Sequence, residues 1–228
     1  MNLMVFIQAR LNSTRCPGKV LRELNNTPLL RHVVDSVKRV GCKYAVLTSD
    51  MGTDLEIAQF CTQNSISCFR GNLDNVAKRF LDAGKYFNVD AFMRISADSP
   101  FIDWKLMSSG LKVFEESKPD MLTNVMPRSY PKGQSIEILS YDLFRREYRN
   151  FCEEGDFEHV TKYFYRNADN FRIINLLQPD NIDYSNIQLS VDTEDDFLKT
   201  QEMFSRMQRP HWDYSINELV ELKEKCYK

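Results

Sequence analysis

Apolar and polar positions alternate in blocks along this chain. Leu3–Gln8 is an apolar run of strand length. It has no basic leader and no small-residue cleavage site, so it reads as a first core strand and not as a signal peptide. A loop containing Asn12, Ser13, Thr14, Pro17 and Gly18 follows. Thr27-Pro28 then reads as a helix cap with proline in the first turn, where its missing N–H costs nothing. Leu29, Leu30, Val33, Val34, Val37 and Val40 continue at helical spacing until Gly41. Tyr44–Ser49 is a second strand, and Thr53 with Glu56 forms a capping box for a helix carrying Leu55, Ala58 and Phe60. Ser67–Phe69 is a short third strand. Asp74 reads as the cap of a helix with Val76, Phe80, Leu81 and Phe87, and Ala91–Ser96 is a strand that runs into Asp98.

The first hundred residues therefore read β-α-β-α-β-α-β, which predicts an α/β fold with a mostly parallel sheet. In such sheets ligands bind beyond the carboxyl ends of the strands. The loop after Leu3–Gln8 and Asp98 both fall there. The second half is less regular. Strands are expected at Met121–Val125 and Ser135–Leu139 around a Pro131-Lys132-Gly133 turn, and at Phe171–Leu177 and Ile187–Val191. Helices are expected at Tyr141–Phe151, Phe157–Tyr165 and Glu194–Met207, and from Ser215, where Ser215 and Glu218 form another capping box. No repeat or linker interrupts the pattern, so one domain over residues 1–228 is expected.

Composition narrows the functional classes. The 228 residues suffice for one substantial core, and a net charge of −2 offers no broad basic field for nucleic acid or an anionic membrane. No apolar run is long enough to span a bilayer. Six cysteines without a CxxC pair read as free thiols of a cytoplasmic protein.

The segment from Gln8 to Lys19 carries the most chemistry. Arg10, Arg15 and Lys19 lie within ten residues, with Ser13 and Thr14 between them. Guanidinium forks and a lysine point charge suit phosphate oxygens. Charge spacing alone is equally compatible with a solvated basic loop. The segment is neither a GxxxxGK[ST] loop nor a GxGxxG loop.

IQARLNSTRCPGKVL resembles the signature of the cytidylyltransferases that include CMP-Kdo and CMP-sialic acid synthetases. It is most similar to the branch named for spore coat polysaccharide biosynthesis protein F, with Cys16 where leucine is usual. GNLDNVAKRF (71–80), RISADSPFID (94–103), YPKGQSIEI (130–138), EHVTKYF (158–164) and LSVDTEDDF (189–197) continue the resemblance in order along nearly the whole chain. It implies a Rossmann-like nucleotidyltransferase fold, with a mostly parallel mixed sheet between helices, in a homodimer. The implied reaction transfers CMP from CTP to a sugar acid or similar small acceptor, with Mg²⁺ and release of pyrophosphate, for surface polysaccharide synthesis.

By motif matching, Arg10, Ser13, Arg15 and Lys19 hold the triphosphate and main chain at Ala9 lies near the base. Lys19, Arg15 and Asp98 act in catalysis, and Asp98 and Asp192 bind the metal. As lone residues both aspartates also suit turn or helix caps. Asp74 and Asn75 fall where the family lines the nucleotide pocket, although Asp74 equally suits a helix cap. Asp103 and Asp195 read as structural, and Arg79 as a solvated helix residue. Lys132, Gly133, Glu137, Glu158 and His159 are the acceptor-site candidates, with Gly133 permitting a tight turn close to ligand. For His159 a structural role is as well supported as a chemical one. The chain has EHVTKYFYR where CMP-Kdo synthetases have a segment like HIGLYAYR, which leaves the acceptor open between nonulosonic acids and other carboxylated or phosphorylated molecules. Two alternatives are a nucleotide-sugar-dependent glycosyltransferase, disfavoured because no DxD is present, and a non-catalytic nucleotide-binding protein.

Overall fold

A computed structural model describes residues 1–179 and 182–226. Strand β1 (Leu3–Gln8) lies at the centre of a seven-stranded sheet, and its unbroken apolar run reflects burial on both faces. Val5 and Ile7 enter one core and Met4 and Phe6 the other. β1 pairs in parallel with β4 (Lys43–Ser49) and β6 (Ala91–Ser96), and β5 (Cys68–Gly71) adds in parallel outside β4. Beyond β6 come β8 (Glu137–Ser140), β7 (Met121–Thr123) and β9 (Ile173–Asn175), giving the order β5-β4-β1-β6-β8-β7-β9. β8 runs antiparallel to both of its neighbours, so the sheet is mixed but mostly parallel.

Two helical layers flank this sheet. α1 (Leu29–Lys38), α2 (Leu55–Gln63), α4 (Trp104–Ser117), α8 (Glu194–Arg206) and α9 (Ile216–Cys226) pack on the Val5 and Ile7 face. α3 (Val76–Tyr86), α5 (Tyr141–Glu147) and α7 (Lys162–Arg166) cover the Phe6 face. There Phe6 meets Phe80 and Phe92 with ring centroids 5.9 and 5.6 Å apart. Burying each such ring contributes about 2–3 kcal/mol, which fastens α3 to β1 and β6. No helix among the described residues is long and apolar enough to cross a membrane.

Several local expectations change in the fold. Thr27-Pro28 is not the first turn of α1. It is strand β3, paired with β2 (Glu23–Leu24) across a two-residue turn in which Asn25 and Asn26 adopt φ of 51° and 59°. Asparagine tolerates that conformation, and two such residues fit a tight hairpin. Thr53 does not cap α2. The boundary residue is Asp54, whose carboxylate turns inward. Asn75, not Asp74, caps α3, accepting from Lys78 N at 2.7 Å. The expected helix over Phe157–Tyr165 divides into α6 (Glu154–Glu158) and α7, and α5 ends earlier, in a 3-10 turn at Tyr148–Asn150. α4 was not expected, although Leu106, Met107, Gly110 and Phe114 bury one helical stripe and Asp103 caps it through Lys105 N at 2.7 Å.

Ile187–Val191 joins no strand among the described residues, and Gln188 forms a bridge to Lys132 in the 131–134 turn. Lys132 N donates to Ile187 O at 2.8 Å and Leu189 N to Lys132 O at 2.7 Å. Gly133 makes that approach possible. It sits at φ +97°, and a Cβ there would lie 2.6 Å from Ser190 N and 2.7 Å from Leu189 C. The glycine is thus needed for contact between two backbones. Gly133→Ala is expected to destabilise the protein by about 2–4 kcal/mol, because main-chain atoms cannot yield as a side chain can. Urea unfolding of the variant checks this, and a loss below ~1 kcal/mol would show that the two segments separate freely.

Candidate active site

Gln8 ends β1 and Ser96 ends β6, side by side in register. The chain leaves both strands at the same edge of the sheet, and the β1 loop and Asp98 meet across a cleft of about 410 Å³. The loop is pinned at its root. Leu11 N donates to Asp54 Oδ1 at 2.8 Å, while the other carboxylate oxygen of this fully buried acid accepts from Ser49 Oγ at 2.5 Å. Further on, Gly18 N returns to Leu11 O at 3.1 Å, and Gly18 takes φ 68°. Lys19 follows in a 3-10 turn, with its side chain directed inward. Cys16 is buried beside Arg22 and Glu194, whose side chains bridge the loop to the start of α8 at 2.5 Å. Burial pushes the Cys16 thiol up, which suits a packing role.

The Lys19 ammonium organises the cleft. Nζ donates to Asp98 Oδ2 at 2.8 Å and to Val191 O at 2.6 Å, and lies 3.8 Å from Asp192 Oδ1. Lys19 is only 8% exposed, so its charge acts where water screens it little. Val191 N in turn donates to Asp98 O at 2.8 Å, fixing the segment that carries Asp192 beside the end of β6. Gln188 Nε2 donates to Asp192 Oδ2 at 2.9 Å. Arg15 approaches Asp192 at 3.6 Å, and Arg10 approaches Glu158 at 3.7 Å across the opening.

The structure thus brings Arg10, Ser13, Arg15, Lys19, Asp98 and Asp192 to one cleft. Ala9 is buried beneath it, with its N–H on Leu47 O at 3.0 Å. Asp74 and Asn75 do not line this cleft; Asp74 is exposed, and the Asn75 side chain is taken up by Lys78 N and Tyr148 OH. Asp103 and Asp195 are structural, Asp195 pairing with Lys199 at 2.6 Å. Arg79 is not solvated. It is 1% exposed and holds Asn72 O with Nε and Nη2 at 3.0 and 2.8 Å. Of the acceptor candidates, Lys132, Glu158 and His159 are exposed and Gly133 is buried.

Glu137 lies inside, at 4% exposure. Its Oε2 accepts from Arg94 Nη1 at 2.5 Å, and its Oε1 accepts from Thr161 Oγ1 at 2.7 Å and Tyr165 OH at 2.5 Å. It therefore does not offer these oxygens to sugar hydroxyls. Burial works to raise this carboxyl, but the Arg94 charge and the hydrogen bonds from Tyr165 and Thr161 prevail and hold it below the usual carboxylate range. A depressed carboxyl contributes stability above its unfolded value, about 4.3, and that contribution is lost as pH falls through the folded value. Glu137→Gln is accordingly expected to destabilise by about 2–4 kcal/mol at neutral pH, with a gap to wild type that narrows at pH 3. Unfolding at both pH values reads this, and a gap that widens toward pH 3 would contradict it.

Sequence reasoning passed over Gln8, Arg94 and Asp54. Gln8 and Arg94 stood inside quoted motifs, but their partners are 86 and 43 residues away. A phosphate-type loop after the first strand, facing two carboxylates at the ends of other segments of a mostly parallel sheet, defines a nucleotidyltransferase. The chain belongs to the cytidylyltransferase family, whose sequence model matches residues 4–225. It is 28% identical to spore coat polysaccharide biosynthesis protein SpsF of Bacillus subtilis, over 97% of this chain and 93% of that protein. It is 25% identical to 3-deoxy-manno-octulosonate cytidylyltransferase of Mesorhizobium japonicum, over 74% and 76%. A solved cytidylyltransferase of Leptospira borgpetersenii superposes with a TM-score of 0.92 at 27% identity, over 99% of this chain and 94% of that one. The fold is shared with CMP:2-keto-3-deoxy-manno-octonic acid synthetase complexed with CTP, at a TM-score of 0.66, 16% identity and 90% and 99% coverage. It is also shared with the manganese complex of Rv0371C from Mycobacterium tuberculosis H37Rv, at 0.63, 12% and 89% and 99%.

Proposed function

We propose that this enzyme transfers CMP from CTP to a small sugar-acid-like acceptor, as a step in making a surface polysaccharide or glycoconjugate. The observation that carries the reading is the Lys19 ammonium, buried between Asp98 and Asp192 in a cleft that also holds Arg10 and Arg15. A hydroxyl oxygen of the acceptor forms a bond to the α-phosphorus and loses its proton. The bond from the α-phosphorus to the bridging oxygen breaks, and pyrophosphate leaves. Negative charge grows on phosphate oxygens, and the Lys19 ammonium is fixed in place to meet it, with the exposed Arg10 and Arg15 at the opening. Ser13 adds a hydroxyl, and main chain at Ala9 lies near the nucleoside.

Asp98 and Asp192 suit a divalent cation, Mg²⁺ in this reading. Both offer hard oxygens at one edge of the cleft, and two carboxylates with phosphate oxygens and water suffice for Mg²⁺. Among the described residues no group of three or more His, Cys, Asp or Glu side chains forms a dedicated metal cage. Bound there, the ion supplies Lewis-acid neutralisation of phosphoryl charge. The family resemblance further implies a homodimer, which sedimentation equilibrium measures directly.

The test is pyrophosphate release with each of the four nucleoside triphosphates and Mg²⁺, against a panel of acidic sugars and sugar phosphates. Release that requires both CTP and one acceptor is the expected result. CTP binding without release on every acceptor would favour a non-catalytic nucleotide-binding protein, and release with another triphosphate would overturn the base assignment.

A further inference from the structure

We infer that Gln8 is a substrate-contacting residue that donates its amide N–H to an anionic oxygen of the acceptor, and that Glu137 is a positioning residue acting on it through Arg94. This rests on the reading of the cleft as a nucleotidyl-transfer site.

Arg94 Nε donates to Gln8 Oε1 at 3.1 Å while its Nη1 holds Glu137. A guanidinium cannot accept a hydrogen bond, so the Gln8 atom facing it must be the oxygen. The amide nitrogen is thereby turned away from Arg94. Among the described residues Nε2 has no hydrogen-bond partner, and Gln8 lines the cleft. Glu137 is immobilised in turn by Thr161 and Tyr165, so the amide orientation is built from the core outward.

The chemistry of the ligand group follows from what this part of the cleft offers. Gln8 presents donors only, and the Arg94 side chain behind it is 23% exposed. Of the carboxylates around the cleft, Glu137 has both oxygens taken up inside, Asp98 and Asp192 face the Lys19 ammonium, and Glu158 faces Arg10. Donors without a free carboxylate favour an oxygen that only accepts, a carboxylate or phosphate oxygen, over a neutral hydroxyl that must also donate. The position favours the acceptor over the nucleoside. Arg94 and Glu137 stand on β6 and β8, to one side of β1, while main chain at Ala9, which lies near the nucleoside in this reading, bonds to Leu47 O of β4 on the other side.

Calorimetric titration tests this with two anionic probes, 3-deoxy-manno-octulosonate and glucose 1-phosphate. Each is added to protein saturated with the α,β-methylene analogue of CTP, which cannot release pyrophosphate. Gln8→Glu keeps the shape and the contact to Arg94 but turns a carboxylate oxygen toward the probe. Its affinity for the probe is expected to fall at least about tenfold, with affinity for the analogue within about twofold of wild type. Glu137→Gln is expected to weaken probe binding about three- to tenfold with the same sparing of the analogue, whereas a merely structural role would lower both together. Binding of the sugar acid alone assigns the oxygen to a carboxylate, and of the sugar phosphate alone to a phosphate. Unchanged probe affinity in Gln8→Glu, parallel loss of probe and analogue, or no probe binding to wild type that binds the analogue would each overturn the inference. Failure of wild type to bind the analogue would instead strike the nucleotidyl-transfer reading itself.

Discussion

Asp98→Asn is expected to lower turnover about a thousandfold while the protein stays folded, a loss of ~4 kcal/mol in transition-state stabilisation. The asparagine keeps the size of the side chain and an oxygen for Lys19 Nζ, which lies 2.8 Å from Asp98 Oδ2. In the proposed reaction it would remove one of the two negative charges that would hold a divalent cation beside the phosphates. Stability should change by less than about 1–2 kcal/mol, because Lys19 retains Val191 O and the nearby Asp192, and the Asp98 side chain is one-fifth exposed. Pyrophosphate release and a thermal melt on the same preparation check both halves. Near-normal Mg²⁺-dependent release would remove Asp98 from the chemistry.

Lys19→Met should be comparably severe for turnover, about a hundredfold to a thousandfold, but with a different signature. Methionine fills the space left by the buried stem and removes the ammonium. Asp98 and Asp192 then lose the cation between them, and Val191 O loses its donor. The resulting destabilisation is about 1–3 kcal/mol, moderated by the partial exposure of both carboxylates. Because those carboxylates are left short of positive charge, added Mg²⁺ should raise the melting temperature of Lys19→Met by more than it raises that of wild type. An equal response in the two proteins would show that Lys19 does not neutralise the pair. Asp98→Asn, with one carboxylate fewer, should show little response, so the two variants separate the ammonium from the acid.

The β1 loop, Asp98 and Asp192 were legible in the sequence because each is announced locally. An apolar run ends and charged or small residues follow, and the motifs of the resemblance give those residues their roles. The mostly parallel sheet was legible for a similar reason, since alternating strand and helix lengths favour parallel pairing, whereas the order of its strands was not. α4 was equally legible in principle, because Leu106, Met107, Gly110 and Phe114 carry its buried stripe. The β2–β3 hairpin was harder to read, because two residues on each side of Asn25-Asn26 are too few to show strand alternation.

The sequence by itself determined most of the strands and helices around the sheet, the cationic loop and the acids that follow two of its apolar runs, since hydrophobic period and local charge are properties of neighbouring residues. Tertiary structure alone decided what the buried polar groups do. Glu137 was placed against Arg94 by the β6–β8 register and against Thr161 and Tyr165 by the packing of α7, so a candidate sugar ligand became an internal anchor. Arg79 was drawn inside by the carbonyl of Asn72, and Asp54 by the N–H of Leu11. The physical reason is common to all three. A buried charge must find its partners, and only the fold, whether it joins distant segments as at Glu137 and Asp54 or turns Arg79 back onto a carbonyl seven residues earlier, brings them within hydrogen-bonding distance.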